Sequence, residues 1–234
     1  MAADAAQRTT WLVRHAQASF GSDDYDRLSE RGHRQAEMLG RWLVADRDLA
    51  FAQVVSGTQQ RHVQTLAALA HAFDAAGRPL PEPVRDPDWN EFDHERVIRA
   101  YVRLHPDEPA LEAARAGDRR AVHALLAAAL HAWAADTLDG VPERWEEFAA
   151  RVARARARLD RAPGKTLVMT SGGVIARCAQ AALGCDTERT VALNLGLRNT
   201  ALCQFRTSGG AWQLHTWNAL PHIAPDRRDA VTYY

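Results

Sequence analysis

Residues 9–55 read TTWLVRHAQASFGSDDYDRLSERGHRQAEMLGRWLVADRDLAFAQVV. The run TTWLV at 9–13 is short, apolar and β-branched, which predicts a buried strand. After a polar loop, apolar residues recur at helical spacing through residues 36–43, so we predict an amphipathic helix that begins near Ser29. FAQVV at 51–55 predicts a second strand. A strand, a helix and a strand in this order indicate a parallel sheet covered by helices.

The same alternation resumes near the end of the chain. A helix at about 59–73 follows the second strand, and KTLVMT at 165–170 predicts another core strand. We predict a helix at 174–183, opened by a Ser-Gly-Gly turn. Two late strands at 201–206 and 212–217 flank a second Ser-Gly-Gly, which is typical of a hairpin.

A long helical stretch interrupts this pattern. The proline-rich segment GRPLPEPVRDPDW at 77–89 should run extended, and residues 94–162 are then rich in Ala, Arg and Leu, with no strand signal. Helix breaks are expected near His105–Pro106, Gly117–Asp118 and Asp139–Gly140. We therefore predict one domain, residues 1–234, with a three-layer α/β/α architecture, a mostly parallel central sheet and a helical insertion, or cap, at about 94–162.

The composition is that of an ordinary globular protein, with 47% hydrophobic and 25% charged residues. The 29 basic and 29 acidic residues give a formal net charge of zero. General binders of nucleic acid or of membrane surfaces need a basic excess, so we expect neither kind of partner. The composition gives no prediction of the oligomeric state.

Several features favour a cytoplasmic location. The first ten residues lack a basic segment followed by an apolar one, so we expect no signal peptide. The longest candidate apolar run, 124–130, is far too short to span a bilayer. Cys178, Cys185 and Cys203 form no Cys-x-x-Cys pair, so we expect buried thiols in a reducing compartment. We expect no cofactor and no metal ion, because the histidines lack metal-ligand spacing.

Polar residues follow three of the predicted strands. The first strand leads to Arg14 and His15, the second leads through Ser56 and Gly57 to Arg61, and the third leads to the Ser-Gly-Gly turn. Ligands of parallel α/β sheets bind beyond the carboxyl ends of the strands. Guanidinium groups bind phosphate bidentately, and helix N-termini favour anions. We therefore predict an anion pocket at this edge of the sheet.

At these positions the sequence resembles the histidine phosphatase superfamily, also called the phosphoglycerate-mutase-like fold. The resemblance rests on LVRHAQ at 12–17, SGTQQRHVQT at 56–65, WNEF at 89–92 and VMTSGGVI at 168–175, with SERGHRQA at 29–36 similar to the helix after the first motif. Each motif alone is weak. Their common order over nearly the whole chain makes the resemblance specific.

The resemblance implies roles for four residues. His15 would be the nucleophile that forms a phosphohistidine, which water then hydrolyses. Arg14 and Arg61 would hold the phosphoryl oxygens and neutralise charge in the transition state. Glu91 would protonate the leaving oxygen and then deprotonate the attacking water. Glu95 is an alternative for that acid–base role, because acidic residues crowd this segment.

One departure from the family pattern concerns the second catalytic histidine, whose place is taken by Ser171. Ser171 and Gly172 are expected to line the phosphate, although a serine here also suits a helix N-cap. Loss of one preorganised donor would slow the chemical step by about 10²–10³-fold. His222 is our first candidate to replace the missing imidazole, and His94 is the second. Gly57 stands where proline is common, which we interpret as structural.

The remaining polar residues are assigned to structure or to the cap. Five helix histidines without metal spacing are interpreted as structural: His33, His62, His71, His123 and His131. His62 adjoins Arg61, so a contact with the pocket stays open. Cap residues Arg99, Arg103 and His105 either read a second charge on the substrate or form a solvated helix face.

Two hypotheses follow for function. The first is a phosphomonoesterase that works through His15 on a phosphorylated small molecule or phosphoprotein, with modest turnover because of Ser171; mutase activity is the weaker form of this hypothesis. The second is a pseudo-phosphatase that binds a phosphorylated ligand or protein without turning it over. The sequence names no physiological substrate.

Overall fold

A computed structural model describes residues 8–19, 26–159, 164–208 and 210–233. The strands are β1 (Arg8–Arg14), β2 (Gln53–Ser56), β3 (Val84–Arg85), β4 (Lys165–Thr170), β5 (Leu202–Ser208) and β6 (Ala211–Ala219). The helices are α1 (Glu30–Ala45), α2 (Gln60–Ala75), α3 (His94–Leu104), α4 (Ala110–Arg115), α5 (Arg119–Ala134), α6 (Trp145–Leu159), α7 (Gly172–Leu183) and α8 (Thr187–Gly196).

The strands form a mixed sheet in the order β3-β2-β4-β1-β5-β6. The pairs β1–β4, β2–β4 and β2–β3 are parallel, whereas β5 pairs antiparallel with both β1 and β6. Parallel strands in one sheet need crossover connections, and α1 and α2 supply them on one side of the sheet. The carboxyl ends of β1, β2 and β4 consequently lie at the same edge.

Alternating side chains along the strands separate two cores. Leu12 of β1 and Val168 of β4 pack on one face with the cap helices and α7, whereas Val13 and Met169 pack on the other face with α1 and α2. All four side chains are fully buried. This period of two is what a strand covered on both faces requires. The architecture is therefore the predicted three-layer α/β/α with a mostly parallel sheet.

Most predicted elements are confirmed with shifts of one to three residues. The helix expected near Ser29 begins at Glu30, and the Ser29 hydroxyl caps it by accepting from the Gly32 N–H at 3.0 Å. The insertion comprises α3 to α6, with breaks where they were expected. The hairpin of β5 and β6 is confirmed by its antiparallel pairing. Parts of three predictions lie outside the described residues: the loop at 20–25, the insertion after 159, and position 209 of the hairpin.

Two elements were not predicted. Strand β3 has only two residues and lies within the proline-rich segment. It is recognised as a strand by its parallel pairing with β2, which the local sequence does not indicate. Helix α8 follows α7 directly, and Asp186 caps it by accepting from the Arg189 N–H at 2.8 Å. An Asp immediately before a helix-forming run is a local cap signal, so α8 could have been predicted from the sequence.

All three cysteines are free thiols. Cys178 and Cys203 are buried free thiols, and burial raises the pKa of each to about 12. Cys185 is a half-buried free thiol. Across the described ranges, no helix combines the length and the apolar character needed to cross a bilayer.

Candidate active site

Three strand ends converge at one edge of the sheet. The N–H of His15 donates to the Thr170 carbonyl at 2.9 Å, and the N–H of Gly57 donates to the Met169 carbonyl at 3.0 Å. The segments that leave β1, β2 and β4 are thus hydrogen-bonded side by side. This is the edge at which the sequence predicted an anion pocket.

A cavity of about 120 Å³ opens at this edge. Its wall combines polar residues from the strand ends with apolar residues of the cap and of α8. The lining consists of Arg14, His15, Arg61, Glu91, Phe92, His94, Ile98, Val122, Leu126, Asn194, Leu195 and Tyr233. The cavity therefore brings together the four residues to which the sequence assigned catalysis.

His15 is buried and held in one tautomer. Its Nδ1 lies 2.7 Å from the Ala16 carbonyl oxygen, which can only accept, so Nδ1 carries the proton. The other nitrogen, Nε2, then keeps its lone pair. Burial lowers the pKa of His15 well below 6.5, and the nearby charges of Arg61 and Arg14 lower it further. The imidazole is therefore neutral at cellular pH, which is the state that the predicted nucleophilic role requires.

Two guanidinium groups bracket His15. Arg61, in the first turn of α2, is 5% exposed; its Nη1 pairs with Asp26 Oδ1 at 2.5 Å and its Nη2 donates to Gln59 Oε1 at 2.8 Å. Arg14 donates through Nη1 to the Leu197 carbonyl. These bonds restrict both side chains to positions against the cavity. Fixed cations of this kind stabilise charge that develops on a phosphoryl group.

Glu91 reaches the cavity from the segment after the 3-10 turn at Pro87–Trp89. Its Oε2 accepts from the Gly173 N–H at 2.9 Å, and its main-chain N–H donates to Gln59 Oε1 at 3.0 Å. Burial raises the pKa of Glu91 above 4.5, although the Gly173 bond and both arginines oppose that shift. The carboxyl group therefore holds a proton more readily than an exposed glutamate. The alternative, Glu95, is exposed, pairs with Arg99 at 2.9 Å and does not line the cavity.

A second imidazole, that of His62, lies beside His15. The ring centres are 5.6 Å apart, and His62 Nε2 lies 2.6 Å from Ser171 Oγ. His62 and Ser171 are both fully buried. The contact with the site that the sequence left open for His62 is therefore present, because His62 lies against both the predicted nucleophile and the serine at the departure from the family pattern.

Gly57 makes room for this histidine. A Cβ atom at Gly57 would lie 2.2 Å from His62 Nδ1 and 2.7 Å from Asn90 Oδ1, so any side chain there would displace these groups. His62 thus lies between two other unusual residues, with Nδ1 facing Gly57 and Nε2 facing Ser171. Their joint occurrence within two motifs was the signal by which sequence reasoning could have found His62.

The two predicted substitutes for the second histidine occupy different places. His94, the first residue of α3, lines the cavity, and burial lowers its pKa. His222 does not line the cavity; its Nε2 lies 2.9 Å from Thr200 Oγ1. The Thr200 N–H donates to the Arg14 carbonyl at 3.1 Å, so His222 supports the backbone behind the site. We therefore do not carry His222 into the proposed machinery.

The predicted phosphate-lining residues Ser171 and Gly172 are buried beside the cavity, outside its lining. Ser171 is the N-cap residue of α7, but its hydroxyl makes no capping bond and contacts His62 instead.

A larger cavity of about 490 Å³ adjoins the site and shares Leu195 and Tyr233 with it. Its lining includes four basic side chains and no carboxylate: Arg31, Arg119, Arg120 and His123. The cap residues expected to read a second charge, Arg99, Arg103 and His105, line neither cavity. Within the described ranges, no group of three or more His, Cys, Asp or Glu residues is arranged to hold a metal ion.

Comparison with known proteins identifies a family. A family model described as the histidine phosphatase superfamily (branch 1) matches residues 10–220. No curated protein sequence matches the chain.

Solved structures share the fold. A mycobacterial glucosyl-3-phosphoglycerate phosphatase with inorganic phosphate is 20% identical, with a TM-score of 0.62 over 93% of this chain and 100% of that chain. Phosphoglycerate mutase from Bacillus anthracis is 16% identical, with a TM-score of 0.64 over 94% and 96% of the two chains. Phosphoserine phosphatase from Entamoeba histolytica, in complex with phosphoserine, is 14% identical, with a TM-score of 0.62 over 93% and 100%.

Proposed function

Since the chain belongs to branch 1 of the histidine phosphatase superfamily, we propose that it is a phosphomonoesterase in which His15 accepts the phosphoryl group. One observation carries this proposal. A buried imidazole with a free Nε2 lone pair shares a small cavity with two arginines and a glutamate of raised pKa. This combination supplies a nucleophile, fixed positive charge and a proton donor around one point.

The first half of the reaction forms a phosphohistidine. The Nε2 lone pair of His15 forms a bond to phosphorus while the ester P–O bond breaks. Glu91 gives its proton to the leaving oxygen, which departs as an alcohol. Arg14 and Arg61 neutralise the charge that builds on the phosphoryl oxygens.

The second half returns the enzyme to its starting state. Water attacks phosphorus, and the Glu91 carboxylate takes a proton from that water. The N–P bond then breaks, its electron pair returns to His15 Nε2, and inorganic phosphate leaves. Glu91 is protonated again and ready for the next ester.

The dimensions of the two cavities suggest how a substrate is held. The cavity at His15, about 120 Å³, is below the range of about 300–1,000 Å³ that is typical of small-molecule sites. It suits a phosphoryl group and a few further atoms. The adjoining cavity of about 490 Å³ would receive the rest of the substrate, which we expect to be small and to carry a second negative charge.

The test is release of inorganic phosphate from 4-nitrophenyl phosphate. We expect His15→Ala to lower kcat by on the order of 10³-fold or more, as is usual for loss of a nucleophile. His71→Ala is the matched control, since His71 is an exposed histidine of α2 outside both cavities. Denaturing a single turnover at alkaline pH, where the P–N bond of a phosphohistidine survives, should trap phosphate on the wild-type and His71→Ala chains but not on His15→Ala. Equal background rates for all three proteins would favour the pseudo-phosphatase.

A further inference from the structure

The Ser171 side chain is held by an imidazole instead of by its own helix. Ser171 is the N-cap residue of α7, where a serine hydroxyl ordinarily accepts from a helix N–H, yet no such bond is present. Its Oγ lies 2.6 Å from His62 Nε2 instead. The preceding residue, Thr170, is hydrogen-bonded to His15, so Ser171 leaves β4 directly beside the nucleophile.

The hydrogen bonds of His62 favour one tautomer. Its Nδ1 is buried without a hydrogen-bond partner in the described part of the chain and faces the Cα of Gly57. A proton on Nδ1 would leave a buried N–H donor permanently unpaired, which proteins rarely tolerate. A proton on Nε2 instead leaves only the lone pair of Nδ1 without a hydrogen-bond donor. The Nε2–H group then donates to Ser171 Oγ, and the serine O–H is left to donate to another acceptor.

The charge state of His62 agrees with this assignment. Burial lowers the pKa of His62 well below 6.5, and Arg61 next to it lowers the pKa further, so the ring is neutral. A neutral ring with Nε2–H is a donor of fixed direction. In the His62–Ser171 pair, the imidazole N–H is already used. The serine O–H is therefore the donor that could still form a hydrogen bond to a ligand.

We propose that His62 is a positioning residue that donates to Ser171 Oγ and so directs the Ser171 O–H at a phosphoryl oxygen held on His15. This inference rests on the proposed function and adds two residues to it. Gly57 belongs to the same unit, because only a residue without Cβ leaves space for His62. A preorganised donor of this kind acts on charge that develops in the transition state.

Kinetics of paired variants test the positioning role. His62→Leu fills the space without a donor, whereas His62→Gln keeps an amide donor near the place of Nε2. We expect His62→Leu to lower kcat on 4-nitrophenyl phosphate by about 10²-fold with little change in KM, and His62→Gln to stay within about tenfold of wild type. In a Ser171→Ala background, His62→Leu and His62→Gln should give equal kcat, because the hydroxyl that residue 62 would contact is absent. His71→Leu is the control. Equal kcat for Leu and Gln at position 62 in the wild-type background would overturn the proposal.

Spectroscopy supplies a readout that does not need turnover. In protein with ¹⁵N-labelled histidine, inorganic phosphate should shift the His62 resonances and leave a pattern of protonated Nε2 and bare Nδ1. Ser171→Ala should abolish that response while His15 still responds. A His62 signal that ignores phosphate when His15 responds would refute the inference. If phosphate shifts the His62 signals but the wild-type rate does not exceed that of His15→Ala, the esterase function is refuted and the His62–Ser171 donor pair is retained. If phosphate shifts the signals of neither histidine, both proposals are refuted.

Moving the imidazole from position 62 to position 171 tests separately whether His62 fills the space beside Ser171. Ser171→His places a ring where His62 already lies, so we expect loss of both kcat and stability. His62→Ala with Ser171→His removes the overlap and should recover activity relative to either single variant. A Ser171→His variant as stable and active as wild type would show that His62 does not occupy the space beside Ser171.

Discussion

The main-chain N–H of Gly173 donates to Glu91 Oε2 at 2.9 Å, which ties the start of α7 to the carboxyl group that lines the cavity. The contact is close because residue 173 has no side chain. A Cβ there would lie 2.4 Å from Glu91 Oε1 and 2.8 Å from Phe92 Cε1. The glycine thus sets the position of the proposed proton donor.

Gly173→Ala should therefore displace Glu91. We expect kcat on an alkyl phosphate, whose leaving oxygen must be protonated, to fall by about 10²-fold, the scale on which a misplaced catalytic group is felt. Glu91→Gln in the same assay gives the value for complete loss of the proton donor. Circular dichroism would establish that the variant folds, and a folded Gly173→Ala protein with wild-type kcat would contradict the assigned contact.

The pH dependence of the rate should be displaced toward acid. His15 must be neutral to attack, and its pKa is lowered, so the acidic limb should lie below pH 6.5. Glu91 must be protonated at the first step, and its pKa is raised, so the rate should fall as pH rises through a value above 4.5. Profiles of kcat/KM from pH 4 to 9 test this, because kcat/KM reports the pKa values of the free protein. Glu91→Gln should remove the alkaline limb alone, and an unchanged limb would assign the proton donor elsewhere.

His222 should make the fold sensitive to acid. Burial lowers the pKa of His222 from 6.5 to about 4, so the unfolded chain binds a proton that the folded chain refuses. Stability from this group is complete above pH 6.5 and falls as pH drops toward 4, by about 2 kcal/mol at pH 5.

Urea unfolding at pH 7.5 and at pH 5 would measure this loss. His222→Gln should lose about 2 kcal/mol less than wild type between the two values. His131→Gln, a change at an exposed histidine of α5, serves as the control and should behave as wild type. Identical losses in the His222→Gln and wild-type proteins would show that His222 is not the buried neutral group described.

The basic cavity next to the site should select substrates with a second negative charge. Alkyl phosphates that end in a carboxylate or in the matching carboxamide differ only in that charge. We expect wild type to favour the carboxylate ester by about tenfold in kcat/KM, and Arg119→Gln with Arg120→Gln to abolish most of that preference.

The ratio between the two esters is insensitive to general loss of fold. Arg115→Gln, on the neighbouring α4 and outside both cavities, is the matched control and should keep the ratio. A wild-type ratio near one would mean that the four basic residues do not read the substrate.

Local sequence pattern alone predicted the α/β alternation, most element positions and the convergence of Arg14, His15 and Arg61. The spacing of apolar residues and the cap residues determine structure within a few positions of the chain, and parallel strands bring their carboxyl ends to one edge of the sheet. The family model over residues 10–220 confirms the predicted family.

The tertiary structure decided what short-range pattern does not encode. His62 and Ser171 are 109 positions apart, and their contact depends on how α2 packs beside β4. The same holds for the ion pair between Asp26 and Arg61, which are 35 positions apart, and for the hydrogen bond from Gly173 to Glu91, which are 82 positions apart. Side chains of this kind meet only when separate segments pack together, so the polar partners of the site belong to the fold rather than to any one motif.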